Sequence, residues 1–477
     1  MKTTQKELLT FSIARLSELI KKKKISPTEV AIQLLKRINE IDPKINSFIT
    51  IDKEEVLEQA KRADQEIENG NYKGPLHGVP IGLKDLIYTQ SLKTTMGSEI
   101  YQNYVPDYNA TVVEKLKEAG AIIVGKLNTH QFAYGPTGDR SFFGPVRNPH
   151  NTQKMTGGSS SGSAAAVSAC LAYGSLGTDT GASIRVPASF CGIVGMKPTY
   201  GLVSKHGVFP LSMTLDHVGP LTRTVTDNAI LLNVIAGFDQ NDPNSIQKES
   251  QDFSRDIGKG IEGMKIGIPT SFYFDDIDEE VRHAVEKAIE VMRELGAVIQ
   301  SINLPNIEKI SESHKVILKS EAYAVHEQHL KDYPDNWDDE VKERLLTALD
   351  TKGYEYVQAL QIRKLAKNEF NHVLEDVDVI LTPTLPILPP KINERHVNIE
   401  KYIGQHIRWS ITKLTAPTNL NGLPSLSVPC GFSADDMPIG IQLIGREFDE
   451  ATLYRFGYAL EQKLAINTAK YAINERS

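Results

Sequence analysis

A lysine and a serine in two short segments are the residues whose types could support covalent catalysis. Ser183 follows the small residues Gly181 and Ala182, and such a turn lets several backbone N–H groups converge beside one hydroxyl. A serine hydroxyl needs a base to become nucleophilic, and no histidine lies nearby in the sequence. Lys84 ends the apolar stretch 79–83, where burial would disfavour its charged form. Taken singly, each feature also fits a plain turn or a structural lysine.

The Gly/Ser-rich segment 156–163 has a second interpretation, a cradle for phosphate. It reads TGGSSSGS and runs into the Ala-rich stretch 164–167, so a loop would lead into the N-terminus of a helix. Backbone N–H groups in such loops bind anions. However, no lysine follows with the spacing of a P-loop, and no GxGxxG follows a strand. The sequence therefore argues against nucleotide binding.

The elements that must position these residues alternate between strands and helices. Apolar runs predict strands at 79–83, 121–124, 265–268, 297–302, 377–381 and 440–444. Helical patterns cover 8–41 in two pieces, 54–69, 110–119, 279–295, 354–374 and 449–463. Alternation over a whole chain is typical of the α/β class, with a largely central sheet.

The composition narrows the function further. The 477 residues are 40% hydrophobic and 24% charged, which is typical of a globular protein with a large core. The net charge of −7 argues against a protein that coats nucleic acid or an anionic membrane. The three cysteines are scattered and form neither a disulfide framework nor a zinc module. No signal peptide and no run long enough for a membrane span is seen, so we expect a cytoplasmic protein.

Several motifs together resemble the amidase signature family. They are GVPIGLKD at 78–85, GGSSSGSAAAV at 157–167, GTDTGASIRVP at 177–187, FCGIVGMKPT at 190–199, GLPSLSVP at 422–429 and PIGIQLIG at 438–445. The resemblance runs from about residue 8 to residue 463. It implies one large α/β domain with a central mixed, mostly parallel twisted sheet covered by helices on both faces. We expect residues 1–60 to be a helical segment packed on the core, and residues 61–477 to be the catalytic domain.

The resemblance also implies a Ser–Ser–Lys triad. Ser183 matches the nucleophile, Ser159 the bridging serine and Lys84 the base, and the peptide bond before Ser159 is implied to be cis. The reaction that the resemblance implies requires no metal or organic cofactor. It assigns the oxyanion hole to the N–H groups of Thr180, Gly181, Ala182 and Ser183. It implies that Ser160, Asp179 and Arg185 support the triad without reacting themselves. Arg185 is expected to connect the loop to the core.

Two residues depart from the commonest form of these motifs. Ser161 and Ala182 both stand where glycine is usual. Both replacements are small, but Ala182 requires a backbone conformation that tolerates a Cβ atom. Its methyl group is expected to narrow the acyl pocket.

Two activities are open within this family. One is a free-standing amidase, which hydrolyses the C–N bond of a small carboxylic amide through an acyl-enzyme on Ser183. The other is the A subunit of the glutamyl-tRNA(Gln) amidotransferase, which releases ammonia from glutamine for a partner subunit. Arg363 could match the arginine of that subunit's glutamine pocket, but Thr412 stands where the subunit has an aspartate. Without that carboxylate the α-ammonium of glutamine would lack a partner.

The free-standing amidase is the favoured prediction. The stretch 130–138, which includes Tyr134, looks more like free-standing amidases than like the amidotransferase. We therefore expect a small-molecule amide as substrate, no nucleic acid and no membrane partner, with a homodimer left open. Apolar and aromatic residues near Tyr134, 206–213, Tyr323, Ile362 and 407–412 indicate an uncharged acyl group. A non-enzymatic scaffold is disfavoured because all three triad residues are present.

Overall fold

The computed structural model describes residues 5–396 and 406–466, which are built around an eleven-stranded sheet. The strands are β1 (Phe48–Thr50), β2 (Pro80–Lys84), β3 (Ile122–Leu127), β4 (Arg147–Asn148), β5 (Asn151–Met155), β6 (Gly174–Asp179), β7 (Val194–Lys197), β8 (His217–Thr222), β9 (Lys265–Pro269), β10 (Val298–Ile302), β11 (Val379–Pro383), β12 (Ser425–Phe432) and β13 (Pro438–Ile444). The order in the central sheet is β1-β3-β2-β6-β8-β7-β12-β13-β11-β9-β10, while β4 and β5 pair with each other.

The direction of the strands divides the sheet into four parts. Parallel pairing joins β3, β2 and β6 on one side and β11, β9 and β10 on the other. The edge pair β1 and β3, and the run from β6 through β8, β7, β12 and β13 to β11, are antiparallel. The α/β class and the mixed central sheet are confirmed. More of the neighbouring strands pair in antiparallel fashion than the prediction of a mostly parallel sheet implies.

Helices surround the sheet and begin where the sequence supplies caps. Pro27 opens α3, and the Ser26 hydroxyl accepts the backbone N–H of Glu29 at 3.0 Å, as its S-P-T-E motif predicts. The helices are α1 (Gln5–Thr10), α2 (Ile13–Lys21), α3 (Pro27–Ile45), α4 (Lys53–Glu68), α5 (Thr111–Glu118), α6 (Ser161–Ser168), α7 (Arg185–Phe190), α8 (Val225–Ile235), α9 (Glu279–Glu294), α10 (Ile307–Asp332), α11 (Asp339–Leu346), α12 (Gly353–Asp376), α13 (Ile407–Thr412), α14 (Ala416–Asn421) and α15 (Glu450–Leu464).

Both faces of the sheet are buried under helices. On β11, Val379 and Leu381 pack in one hydrophobic cluster with Val285 of α9, whereas Ile380 packs in another with Phe370 of α12. Neighbouring residues of a strand point to opposite faces, so such strands read as continuous apolar runs. Within the described ranges, no helix has the length and apolar character needed to cross a membrane.

The N-terminal helices pack directly on the core. Ile13 and Leu16 of α2 lie in the same hydrophobic cluster as Ile81 of β2. Residue 60, the boundary proposed between a helical segment and the catalytic domain, lies inside α4. That division stays a prediction.

The parallel pair of β2 and β6 sets the position of the site. Leu83 of β2 is paired with Leu176 of β6. Lys84 ends β2 and Asp179 ends β6, so the carboxyl ends of both strands lie at the same edge of the sheet. Loops that follow such parallel strands meet at that edge. The segment from 180 to 184 therefore begins close to Lys84.

Candidate active site

Lys84 is a fully buried lysine whose ammonium nitrogen contacts two hydroxyls. Its Nζ atom donates to Ser159 Oγ at 2.7 Å and to Thr178 Oγ1 at 2.7 Å. Burial lowers the pKa of Lys84 to about 7, although the negative charges of Asp216 and Asp179 oppose this shift. Near neutral pH a substantial fraction of Lys84 is therefore an uncharged amine that can accept a proton.

The neighbouring carboxylate, Asp85, does not pair with Lys84. Its Oδ2 atom accepts the backbone N–H of Thr95 at 2.9 Å, and its Oδ1 atom lies 4.0 Å from Lys126 Nζ. Asp85 and Lys126 thus neutralise each other in the buried core. This separate pairing leaves the hydroxyls as the polar contacts of Lys84.

Ser159 is fixed through its backbone. The peptide bond between Gly158 and Ser159 is cis, as the resemblance implied. The carbonyl oxygen of Ser159 accepts hydrogen bonds from Thr129 Oγ1 at 2.9 Å and from the backbone N–H of His130 at 3.2 Å. The hydroxyl of Ser159 remains on the side of Lys84.

Ser160 joins the two serine segments to the sheet. Its hydroxyl donates to the carbonyl oxygen of Thr178 at 3.1 Å and accepts the backbone N–H of Thr178 at 3.2 Å. Its own backbone N–H donates to the carbonyl oxygen of Ser183 at 3.2 Å. The segment that carries Ser159 is therefore held against the residue that matches the nucleophile.

Ser183 lies in the loop between β6 and α7, with its side chain at the wall of a cavity. Across the described ranges, the backbone N–H groups of Gly181, Ala182 and Ser183 donate to no protein acceptor. Ala182 avoids the left-handed backbone conformation, so its methyl group is accommodated, and it lines the cavity as expected. Free N–H groups beside a hydroxyl are suited to hold an oxyanion.

Side chains from distant helices hold the loop in this orientation. His314 of α10 donates through Nε2 to the carbonyl oxygen of Thr180 at 2.9 Å, and Thr415 Oγ1 donates to the carbonyl oxygen of Gly181 at 2.8 Å. A carbonyl and the following N–H point in opposite directions across a trans peptide. Fixing these two carbonyls therefore directs the next two N–H groups to the other side. Burial lowers the pKa of His314 to about 4, so its imidazole is neutral.

Asp179 and Arg185 form a buried ion pair behind the loop. Arg185 Nη2 lies 3.0 Å from Asp179 Oδ1, and both side chains are completely buried. Burial alone would raise the pKa of Asp179, but the Arg185 guanidinium and the amide of Asn419 hold it well below its usual value. Arg185 also donates to Thr418 Oγ1 and to Gln442 Oε1, each at 2.6 Å. The pair connects the loop to the C-terminal third of the chain.

Removing this carboxylate should destabilise the fold. We expect Asp179→Asn to lower the free energy of unfolding by about 3–5 kcal/mol, because it leaves the Arg185 charge buried without a counter-charge. Urea denaturation measures this loss. The control is Glu327→Gln, which removes the exposed pair with Lys331 and should cost far less, because solvent screens this pair. Equal losses in the two variants would contradict a buried, tightly coupled pair.

The cavity in front of Ser183 has a volume of about 320 Å³. Its walls combine apolar and aromatic side chains with several cations. They include Tyr134, Leu211, Leu318 and Trp409, together with Lys315, Lys319, Arg344, Arg408 and Thr412. The cavity has the dimensions of a site for a small molecule.

The three residues predicted to contact substrate are not all at this cavity. Tyr134 and Thr412 line it. Arg363 does not: its Nη2 atom donates to the carbonyl oxygen of Thr214 at 2.8 Å, and its guanidinium lies over the Tyr200 ring. The helical position of Arg363 on α12 directs it to this other partner, so its placement does not support the predicted substrate contact.

Several other residues that were predicted to line the pocket lie outside this cavity. Of the stretch 206–213, Leu211 lines this cavity, whereas His206 and Met213 line a separate one. Neither Tyr323 nor Ile362 is among the cavity residues. The expectation of an uncharged acyl group was based on apolar and aromatic residues, whereas guanidinium and ammonium groups also line the cavity.

Sequence reasoning missed two residues of the site, His314 and Arg344, and it included Arg408 only as part of the predicted stretch 407–412. Each is a polar residue on a helix outside the motifs, and none has a local pattern that marks it. One indirect signal exists for His314: a Cβ atom at Gly181 would lie 2.8 Å from its Cε1 atom, which explains the glycine. In the parts of the chain that the structure covers, no group of three or more His, Cys, Asp or Glu residues could hold a metal ion.

A buried lysine bonded to one serine, a second serine at a cavity and free N–H groups beside it form an arrangement that is suited to acyl transfer from amides or esters. A family model described as Amidase matches residues 29–454. The A subunit of the glutamyl-tRNA(Gln) amidotransferase from Geobacter sp. (strain M21) is 40% identical over 482 residues, which cover 96% of this chain and 98% of the relative. The chain belongs to the amidase family, whose members act on C–N bonds.

Solved structures of the family have the same fold. A chain from a complex described as vestigial, which reveals the origins of an s-triazine catabolic enzyme, has a TM-score of 0.91 and 31% identity. That match covers 95% of this chain and 98% of the other. A structure described as an amidase has a TM-score of 0.86 and 32% identity, and covers 95% of this chain and 100% of the other. Both similarities extend over nearly the whole chain.

Proposed function

We propose that this chain is a free-standing amidase, which hydrolyses small linear carboxylic amides to an acid and ammonia. One observation carries the proposal. A single chain brings together Lys84 bonded to Ser159, Ser183 at a cavity, and the free N–H groups of the same loop. Such a set needs no second chain to complete it.

The first half of the reaction forms an acyl-enzyme. Neutral Lys84 accepts a proton from Ser159, while Ser159 accepts one from Ser183. Ser183 Oγ attacks the amide carbonyl carbon, and a new C–O bond forms. The negative charge that develops on the carbonyl oxygen is held by the N–H groups of the loop, including those of Gly181 and Ala182.

The second half releases both products. The proton returns through Ser159 to the amide nitrogen, so the C–N bond breaks and ammonia leaves. Water then attacks the acyl carbon and gives its proton to the same relay. The Ser183–acyl bond breaks, the carboxylic acid leaves, and the hydroxyl is restored. Catalysis by this route uses side chains and backbone of this chain, with water as the second reactant.

A second candidate function is the A subunit of a glutamyl-tRNA(Gln) amidotransferase. The 40% identity over 96% of the chain to relatives with this description favours it. Against it stands Thr412 at the cavity, where the amidotransferase is expected to have an aspartate for the α-ammonium of glutamine. Glu312 is the carboxylate at the cavity, and its Oε1 atom already accepts from Lys315 at 2.6 Å.

The two functions differ in what the purified chain does alone. We expect it to release ammonia from glutaramate, which is glutamine without the α-ammonium, at least about 100-fold more efficiently than from glutamine. An unpaired ammonium in a closed site costs several kcal/mol, which is enough for this difference. The measurement is kcat/KM by ammonia release, without tRNA, ATP or other subunits.

Thr412→Asp provides the matched test of this reasoning. It should raise kcat/KM for glutamine relative to glutaramate, because it adds the missing carboxylate. A chain that is inert alone, but releases ammonia from glutamine in a tRNA-dependent complex, would overturn the proposal. The net charge of −7 and three buried, unpaired cysteines support action in the cytoplasm without nucleic acid. A homodimer is compatible with it.

A further inference from the structure

The cavity beside Ser183 has an excess of positive charge that the proposed chemistry does not use. Four cationic side chains line it, and one carboxylate, Glu312, does so with them. Glu312 lies 2.6 Å from Lys315 Nζ, so these two charges neutralise each other. The cations left over are Lys319, Arg344 and Arg408. An amide group by itself is uncharged and gives no reason for such a surplus.

Arg344 of α11 is stacked on the wall of the cavity. Its guanidinium carbon lies 4.0 Å from the ring centroid of Tyr134, and its Nη1 atom donates to the Tyr134 carbonyl oxygen at 3.2 Å. A guanidinium has five N–H donors, and within the described part of the chain those of Arg344 find acceptors only on Tyr134. Among residues 5–396 and 406–466, Arg344 has no ion pair, and the Glu340 carboxylate of the same helix pairs instead with Arg395 and His406.

Arg408 of α13 is less satisfied still. Its guanidinium lies 5.2 Å from the ring centroid of Trp409, and its Nε atom is buried with no hydrogen-bond acceptor among the described residues. Burial and the nearby positive charge of Arg344 lower the pKa of Arg408, although Glu340 opposes them. A buried donor without a partner is costly, so an acceptor supplied by a ligand would relieve it.

We propose that Arg344 and Arg408 form a subsite for a carboxylate on the acyl part of the substrate. This inference rests on the proposed amidase function and narrows it to half-amides of small dicarboxylic acids. A planar guanidinium matches a carboxylate with two parallel hydrogen bonds, and two adjacent guanidinium groups that repel each other are stabilised by an anion between them. The apolar walls formed by Leu211 and Leu318 fit a short methylene chain between the carboxylate and the amide.

The decisive comparison is between glutaramate and pentanamide. These two primary amides have similar length, but only glutaramate has a distal carboxylate. We expect kcat/KM for glutaramate to exceed that for pentanamide by about 100-fold, and the ratio to fall by about 10- to 100-fold in Arg408→Met and in Arg344→Met, as loss of a charge-assisted hydrogen bond implies. Arg363→Met is the matched control and should leave the ratio unchanged, since Arg363 lies outside the cavity.

A binding measurement separates the subsite from the chemistry. In a Ser183→Ala background, calorimetry should show glutaramate binding that weakens about 10-fold or more when Arg408→Met is added. Unchanged binding, or a glutaramate-to-pentanamide ratio near one in the wild type, overturns the subsite. A preference for N-butyrylglycine over glutaramate also overturns it, because the carboxylate would then lie on the amine side.

The two proposals fail in different ways. If pentanamide is hydrolysed and glutaramate has no advantage, the amidase function stands and the subsite is wrong. If the chain hydrolyses no amide, the proposed function is wrong, while glutaramate binding to the Ser183→Ala protein still decides whether Arg344 and Arg408 hold a carboxylate.

Discussion

Replacing Ser183 with alanine should reduce amide hydrolysis by about 10⁴-fold or more and leave the fold intact. The variant removes the protein atom that forms a bond to the acyl carbon in the proposed reaction. The neighbouring hydroxyl of Ser159 cannot substitute for it, because Ser159 is fully buried and bonded to Lys84, whereas Ser183 lies at the cavity. Ammonia release and thermal denaturation measure the two expectations.

Ser189→Ala is the matched control, since it removes a buried hydroxyl from α7, the helix that follows the same loop. It should retain activity close to that of the wild type. Covalent labelling gives an independent result: mass spectrometry should place a serine-directed sulfonyl fluoride on Ser183. A label on Ser159 in the folded protein would show that the nucleophile has been assigned to the wrong serine.

Replacing Lys84 with methionine should lower kcat/KM by about 10³-fold, in the range of a lost general base. The pH dependence of kcat/KM gives a more specific test of Lys84 as the base. Because only the uncharged amine can accept a proton, the wild-type kcat/KM should rise with pH through about 7, tenfold per pH unit below it, and then level off.

Lys84→Arg separates basicity from charge. A guanidinium stays protonated throughout the accessible pH range, so this variant should be inactive at every pH rather than shifted in its profile. Wild-type activity that falls as pH rises from 6 to 8 would contradict a lysine base. So would Lys84→Met protein that keeps the ascending limb of the profile.

Much of the architecture could be predicted because both faces of the sheet are covered. Strands buried on both sides are continuous apolar runs, so β2, β3, β9 and β13 were found where such runs occur. β6 was not, because its sequence GSLGTD consists mainly of small and polar residues that make room for the site. The helix α10 was not predicted, for a different reason. It contacts α12 and α14 as well as α11, so its buried residues do not form one narrow stripe.

The residues of the site also differ in how far they could be predicted. Some lie in short motifs, whereas others reach the site only through contacts between distant segments of the chain. Lys84, Ser159 and Ser183 lie in short motifs whose small residues and spacing are visible along the chain. Arg344 and Arg408 are ordinary helical arginines until the fold brings α11 and α13 to the same cavity. The prediction of an uncharged acyl group counted apolar residues within predicted segments and left out the cations that line the cavity. No sequence pattern indicates which side chains of a helix face the cavity.

The network around Arg185 has a consequence for how an active molecule is made. Lys84, Ser159 and Ser183 are all synthesised early, but the partners that fix the loop, Thr415, Asn419 and Gln442, come late. A growing chain that has left the ribosome only as far as residue 400 therefore contains every reactive group but lacks these late partners of Arg185. We expect amide hydrolysis to begin only near the end of translation, and fragments released before that point to be inactive.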